Sequence, residues 1–133
     1  MYLGVYVAER ALSKFFNDIQ KMPMNNPGYD YICGKGFKID VKSSCLHKYK
    51  NNRGQMRWQF TIRRNKIADY FLCLAFDSRE SLTPLHVWLI PSSIVSNRTH
   101  LDITNTIEIL SKWALYERPI DRVVACCQIM KSA

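Results

Sequence analysis

Much of what marks a metalloprotein, a secreted scaffold or a membrane protein is missing from this 133-residue sequence. The cysteines, Cys33, Cys45, Cys73, Cys126 and Cys127, are odd in number and show no Cys-x-x-Cys spacing. The histidines, His47, His86 and His100, stand far apart. Neither a zinc site nor a disulfide framework is indicated, and reduced thiols in the cytoplasm are the expectation. No apolar run approaches the roughly 20 residues that cross a bilayer. Met1 to Arg10 contains Glu9 and no basic stretch ahead of an apolar core, so no signal peptide and no membrane association are expected. Repeats, low-complexity tracts and linkers are absent, and the length fits one domain over residues 1–133.

Acidic residues are also scarce. Eleven Asp and Glu face 19 Lys and Arg, a formal net charge of +8. The imbalance is local. Between Lys35 and Lys66 there are ten basic residues and one acid, Asp40, whereas the rest of the chain is close to neutral. Tyr49, Trp58 and Phe60 are interleaved with Lys48, Lys50, Arg53, Arg57, Arg63 and Arg64 in that segment. Bases alternating with aromatics suit phosphate contact and base stacking, so an anionic polymer is the first partner to expect.

With 47% apolar residues the chain can bury a core. Val5, Ala8, Leu12, Phe15, Phe16 and Ile19 recur at helical steps, which predicts a helix over residues 2–20 with Glu9 on the margin of its apolar face. Residues 29–33 read as a short strand, Gly34 to Gly36 as a tight turn, and residues 37–45 as a second strand. That second strand puts Phe37, Ile39, Val41 and Cys45 on one face and Lys38, Asp40, Lys42 and Ser44 on the other. Residues 57–63 alternate with Trp58, Phe60 and Ile62 inward; residues 69–76 are apolar on both faces; residues 86–90 form a further buried strand stopped by Pro91. From about Thr106 the tail reads as helical pieces, broken at Pro119. Helix, strands, then helices predict a mixed α/β fold around one sheet.

Three charges interrupt this pattern. Asp30 falls within the first strand, and Asp40 and Lys42 lie two apart on one face of the next. The turn between the strands can bring Asp30 alongside Asp40. Paired carboxylates at the end of a sheet suit a hard divalent cation that keeps several waters, Mg²⁺ before Mn²⁺. A lysine beside them can orient water and stabilise developing negative charge. Glu9 could lean over the same place as a further acid.

Gly28-Tyr29-Asp30, a gap of nine residues, then Ile39-Asp40-Val41-Lys42 resembles the signature of the PD-(D/E)XK nuclease superfamily. Glu9 in the first helix resembles the extra acid many members carry. Arg57 to Phe60, Asp69 to Leu72 and His86 to Pro91 resemble the strands that follow the catalytic hairpin. The likeness runs over about residues 5–95. The signature's proline is absent, with Tyr29 standing before Asp30.

The resemblance implies a restriction-endonuclease-like fold, with an α-β-β-β-α-β type core, and metal-dependent hydrolysis of DNA. Asp30 and Asp40 would ligate the metal, with the backbone carbonyl of Val41 as a further ligand. Glu9 would ligate directly or through water, and Lys42 would position the attacking water. Lys35, Lys48, Lys50, Arg53, Arg57, Gln59, Arg63, Arg64 and Lys66 would hold the DNA. A cut through both strands needs two active sites and implies a homodimer. Restriction-like, homing and junction-resolving subtypes all fit. Two other classes stay open: a nucleic-acid-binding module without catalysis, and an interaction protein whose basic patch meets an acidic partner.

Overall fold

The nine-residue alternation of Phe37–Cys45 organises the molecule. In the computed structural model, which describes residues 2–13, 16, 18–23, 26–48, 54–81 and 83–119, that segment is the long central strand. The elements in chain order are α1 (Tyr2–Ser13), β1 (Ile19–Lys21), β2 (Tyr31–Cys33), β3 (Phe37–Cys45), β4 (His47–Lys48), β5 (Met56–Thr61), β6 (Tyr70–Phe76), β7 (His86–Pro91), α2 (Ser92–Val95), β8 (His100–Thr104) and α3 (Ile107–Trp113), followed by a 3₁₀ turn, Ala114–Tyr116. A five-stranded sheet runs in the order β1-β2-β3-β6-β7, and a three-stranded sheet in the order β4-β5-β8. Only the β3–β6 pairing is parallel among the described strands. The fold is mixed α/β.

A parallel pair cannot be joined by a hairpin and needs a crossover. Here the crossover is β4 and β5, which leave the large sheet and lie across one of its faces. Two cores result. On one face α1 packs Ala8 and Leu12 against Ile39, Leu72, Leu74 and Leu89. On the other, Trp58 and Phe60 of β5 and Leu101 and Ile103 of β8 pack against Phe71, Trp88 and Ile90. Strands β6 and β7 feed both cores by alternation, which is why the sequence over Tyr70–Phe76 is apolar throughout. The Trp58 indole N–H donates to the carbonyl of Phe76, 2.9 Å away, and ties the two sheets together.

Several expectations change. The first helix ends at Ser13 rather than at residue 20. Ser13 turns its hydroxyl onto the Arg10 carbonyl, and the residues beyond it pair as β1 with β2, filling an edge that would otherwise be open. The first strand begins at Tyr31, so Asp30 precedes it, although the Asp30 N–H still donates to the Ile39 carbonyl. Phe37, assigned inward, is 40% exposed; it caps the sheet end in a cluster with the rings of Phe16 and Tyr70. The segment around Trp58 builds a second sheet instead of extending the first. Strand β8 has no counterpart in the sequence reading, although Leu101 and Ile103 alternate with polar residues. Helix α3 begins where expected, with the Thr106 hydroxyl capping Ile109 N–H. No helix among the described residues is long and apolar enough to cross a membrane.

Candidate functional site

The site forms where β2 ends and β3 continues. In a strand the N–H and C=O of one residue point to the same side, and those of Ile39 and Val41 point toward β2. Ile39 finds Asp30 backbone there. One pair further on, β2 has ended, and the Asp30 carboxylate accepts the Val41 N–H at 2.8 Å instead. The Val41 carbonyl faces the same open side. This substitution of side chain for backbone brings Asp30 next to Asp40.

Asp40 is the one buried charged side chain among the described residues, at 7% exposure. Its Oδ2 lies 3.3 Å from the Lys42 ammonium, two residues along the same face, and 3.2 Å from the Asn65 amide nitrogen. Burial pushes the Asp40 carboxyl up to about 6; the Lys42 ammonium opposes this, and hydrogen bonding and charge repulsion from Asp30 add to it. One ammonium thus only partly compensates two neighbouring carboxylates. Beneath them, across the β3–β6 pairing from Lys42, burial pushes the Cys73 thiol far up, so it stays a neutral part of the floor.

Glu9 is held elsewhere. Its carboxylate accepts the Tyr31 hydroxyl at 3.3 Å, and burial, followed by the Glu9 charge, keeps that hydroxyl protonated. Among the described residues no group of three or more His, Cys, Asp or Glu side chains gathers closely enough to hold a metal ion. The oxygen donors that do meet are the two aspartates, with the Val41 carbonyl beside them. Two carboxylates and a carbonyl are hard ligands, and this is a donor set that Mg²⁺ accepts when waters and a substrate phosphate complete its shell.

Asn65 is the residue that sequence reading missed. Its Oδ1 accepts the N–H groups of Ile67 (2.8 Å) and Ala68 (3.2 Å), and its amide nitrogen donates to the Gly28 carbonyl (2.6 Å) as well as to Asp40. It follows a turn, closed by its own N–H to the Ile62 carbonyl, whose two central residues, Arg63 and Arg64, have φ of 56° and 53°. Left-handed backbone costs a side-chain-bearing residue roughly 1–2 kcal/mol. The available signal was positional: a polar Arg-Arg-Asn run between two apolar strands.

The fold is shared with a homing endonuclease. The solved structure of the bacterial homing endonuclease I-Ssp6803I matches with a TM-score of 0.54 and 18% sequence identity, over 86% of this chain and 84% of that one. No protein-family model and no curated protein matches the sequence. The likeness is therefore one of fold, a nuclease-like mixed α/β architecture.

The expected DNA contacts are dispersed. Lys35 is exposed at the tip of the β2–β3 turn, Lys48 on β4, and Arg63, Arg64 and Lys66 around the turn that leads to Asn65. Arg57 is committed within the small sheet, 3.3 Å from the Asp102 carboxylate. The Gln59 backbone N–H donates to the Ser44 hydroxyl and joins β5 to β3. Lys50 and Arg53 lie outside the described residues.

Proposed function

We propose that this chain is a divalent-cation-dependent DNA endonuclease of the PD-(D/E)XK type. The observation that carries the reading is the convergence of Asp30, Asp40 and Lys42 at one strand end, on a fold shared with a homing endonuclease. In this reading Asp30, Asp40 and the Val41 carbonyl would hold Mg²⁺ or Mn²⁺, and Glu9, engaged by the Tyr31 hydroxyl, stays outside the ligand set. A cation bound there supplies charge neutralisation at the phosphate and acidification of water.

The protein's own groups do the rest. Asp30 stays oriented because its carboxylate is fastened to Val41 N–H. Asp40 presents an oxygen already shared between Lys42 and Asn65. The Lys42 ammonium, 28% exposed, has donors to spare beyond Asp40; it orients the attacking water and stabilises charge as it builds on the phosphate. Attack in line with the leaving oxygen leaves a 5′-phosphate and a 3′-hydroxyl. The exposed bases on the Arg63–Arg64 turn and on β4 hold the phosphate backbone. Cleavage of both strands requires a homodimer, in the cytoplasm, with homing as the favoured subtype because of the structural neighbour.

Incubation of supercoiled plasmid with the protein in Mg²⁺ and in EDTA tests the reading. Nicking or linearisation in Mg²⁺ alone, abolished by Asp40→Ala, is the expected result. Equal cutting by Asp40→Ala removes the site assignment. Salt-sensitive binding without cutting selects the non-catalytic module instead.

A further inference from the structure

Asn65 makes four side-chain hydrogen bonds to three separate parts of the chain. The two N–H groups of Ile67 and Ala68 leave only one consistent orientation for the amide, with oxygen toward them and nitrogen toward Gly28 and Asp40. The amide thus does two jobs with opposite ends. Its oxygen caps its own loop; its nitrogen crosses to the β2 approach and to the buried carboxylate. The loop it caps is held in a conformation that Arg63 and Arg64 do not favour, and that conformation is over-determined from outside. Arg63 N–H donates to the Thr99 carbonyl and Arg64 N–H to the Arg98 carbonyl, each within 2.9 Å. Strained backbone that is maintained by surrounding bonds beside an acidic site points to a positional requirement.

Resting on the reading proposed above, we infer that Asn65 is a positioning residue: by bridging the Arg63–Arg64 turn, the Gly28 carbonyl and Asp40, it fixes the orientation in which Asp40 meets a divalent cation. Asp40 has rotational freedom about its terminal torsion, and Lys42 alone, on a flexible stem, does not remove it. The Asn65 amide is short, planar and locked, so it does. The same residue joins the cation site to the turn that carries two exposed arginines, so a phosphate seated on that turn and a cation held at Asp40 share one frame. Groups that orient a ligating carboxylate typically change metal affinity by about 10–100-fold when lost.

The test uses the full-length chain and Mn²⁺ alone, followed by the electron paramagnetic resonance signal of free Mn²⁺. Asn65→Ser and Asn65→Thr keep a hydroxyl that can accept from Ile67 and Ala68 but is too short to reach Asp40. The expected result is a Mn²⁺ Kd raised about tenfold with little change in melting temperature. For Mg²⁺-dependent cleavage, the half-saturating Mg²⁺ rises by about the same factor and excess Mg²⁺ recovers most of the rate. Unchanged Mn²⁺ affinity in folded Asn65→Ser overturns the inference while leaving the nuclease reading intact. Failure of both variants to fold overturns it too, because Asn65 is then a structural staple. Absence of Mn²⁺ binding by the unaltered protein, or binding that survives Asp40→Ala, removes the nuclease site itself.

Discussion

The Asp30 carboxylate accepts the Val41 N–H at 2.8 Å, taking the place that a further β2 residue would fill. A single strand ending thereby creates the site. Had β2 continued, backbone would have occupied the side of β3 on which the Val41 N–H and carbonyl lie. Because it reaches back only to Tyr31, its first residue, the carboxylate of the preceding Asp30 enters that space and meets the buried Asp40 carboxyl, on the residue before Val41.

Stability in EDTA is expected to fall as pH rises from about 4 to 6. The folded Asp40 carboxyl titrates at about 6 against an ordinary value of 3.8, so the folded state holds a proton that the unfolded chain has released. Where the native state binds more protons, rising pH favours unfolding; the contribution is complete below the ordinary value and gone above 6. Melting temperatures of the unaltered protein and Asp40→Asn across this range check it. Parallel curves would exclude Asp40 as the source. Asp30→Asn, which removes a neighbouring negative charge, should make the fall shallower, and Mg²⁺ should restore stability mainly above pH 6.

The common face of Asp40 and Lys42 was legible because period-two geometry sets side-chain faces without reference to the rest of the fold, and Asp40 stood out as the one acid in a basic segment; Asp30, expected within a strand, precedes it and reaches β3 through its side chain. The inward set Trp58, Phe60 and Ile62 was legible for the same reason. The sheet to which that strand belongs was not, because partner choice depends on where β3 ends and on β8, more than 30 residues away in sequence. Asn65 was hidden for a related reason: its four bonds reach Gly28, Asp40 and its own loop, and local pattern carries no trace of that convergence. The helix end was misread because apolar spacing continued past Ser13, while the requirement of β2 for an edge partner decided the outcome.

Gly28→Ala should destabilise the protein and loosen the site together. Gly28 has a φ of +82°, and a Cβ there would lie 2.9 Å from Ile67 side-chain carbons, in the very loop that Asn65 caps. Left-handed strain alone predicts a loss of about 1–2 kcal/mol in urea unfolding, and the clash adds to it. Ile67 is 49% exposed, so Ile67→Ala by itself should cost little. The double variant should recover the part of the loss that is due to the clash, and a strictly additive cycle would refute the steric account.

Arg57 and the turn arginines should behave differently in DNA binding. Arg57 is held in the small sheet against Asp102, with its side chain 20% exposed, whereas Arg63 and Arg64 are exposed. Arg63→Ala and Arg64→Ala should each weaken binding and reduce the slope of log affinity against log salt by about one. Arg57→Ala should leave that slope nearly unchanged and lower stability instead. Filter binding at several salt concentrations separates the two. A full unit of slope lost with Arg57 would make it a phosphate contact after all.

The Arg63–Arg64 turn offers the sharpest trade-off. Positive φ at both central positions is the pattern that favours Asn-Gly. Replacing Arg63→Asn and Arg64→Gly together should therefore stabilise the fold by about 1 kcal/mol, since the left-handed strain falls while the bonds to Arg98 and Thr99 carbonyls are made by backbone and remain. The same change removes two exposed guanidinium groups from the turn that Asn65 ties to Asp40, so on the proposed reading DNA affinity and cleavage should drop. Urea unfolding and DNA binding measured on this one variant give opposite signs if the strain is maintained for function. A variant that is less stable, or one that is more stable and binds DNA undiminished, would show that the arginines are kept for another reason.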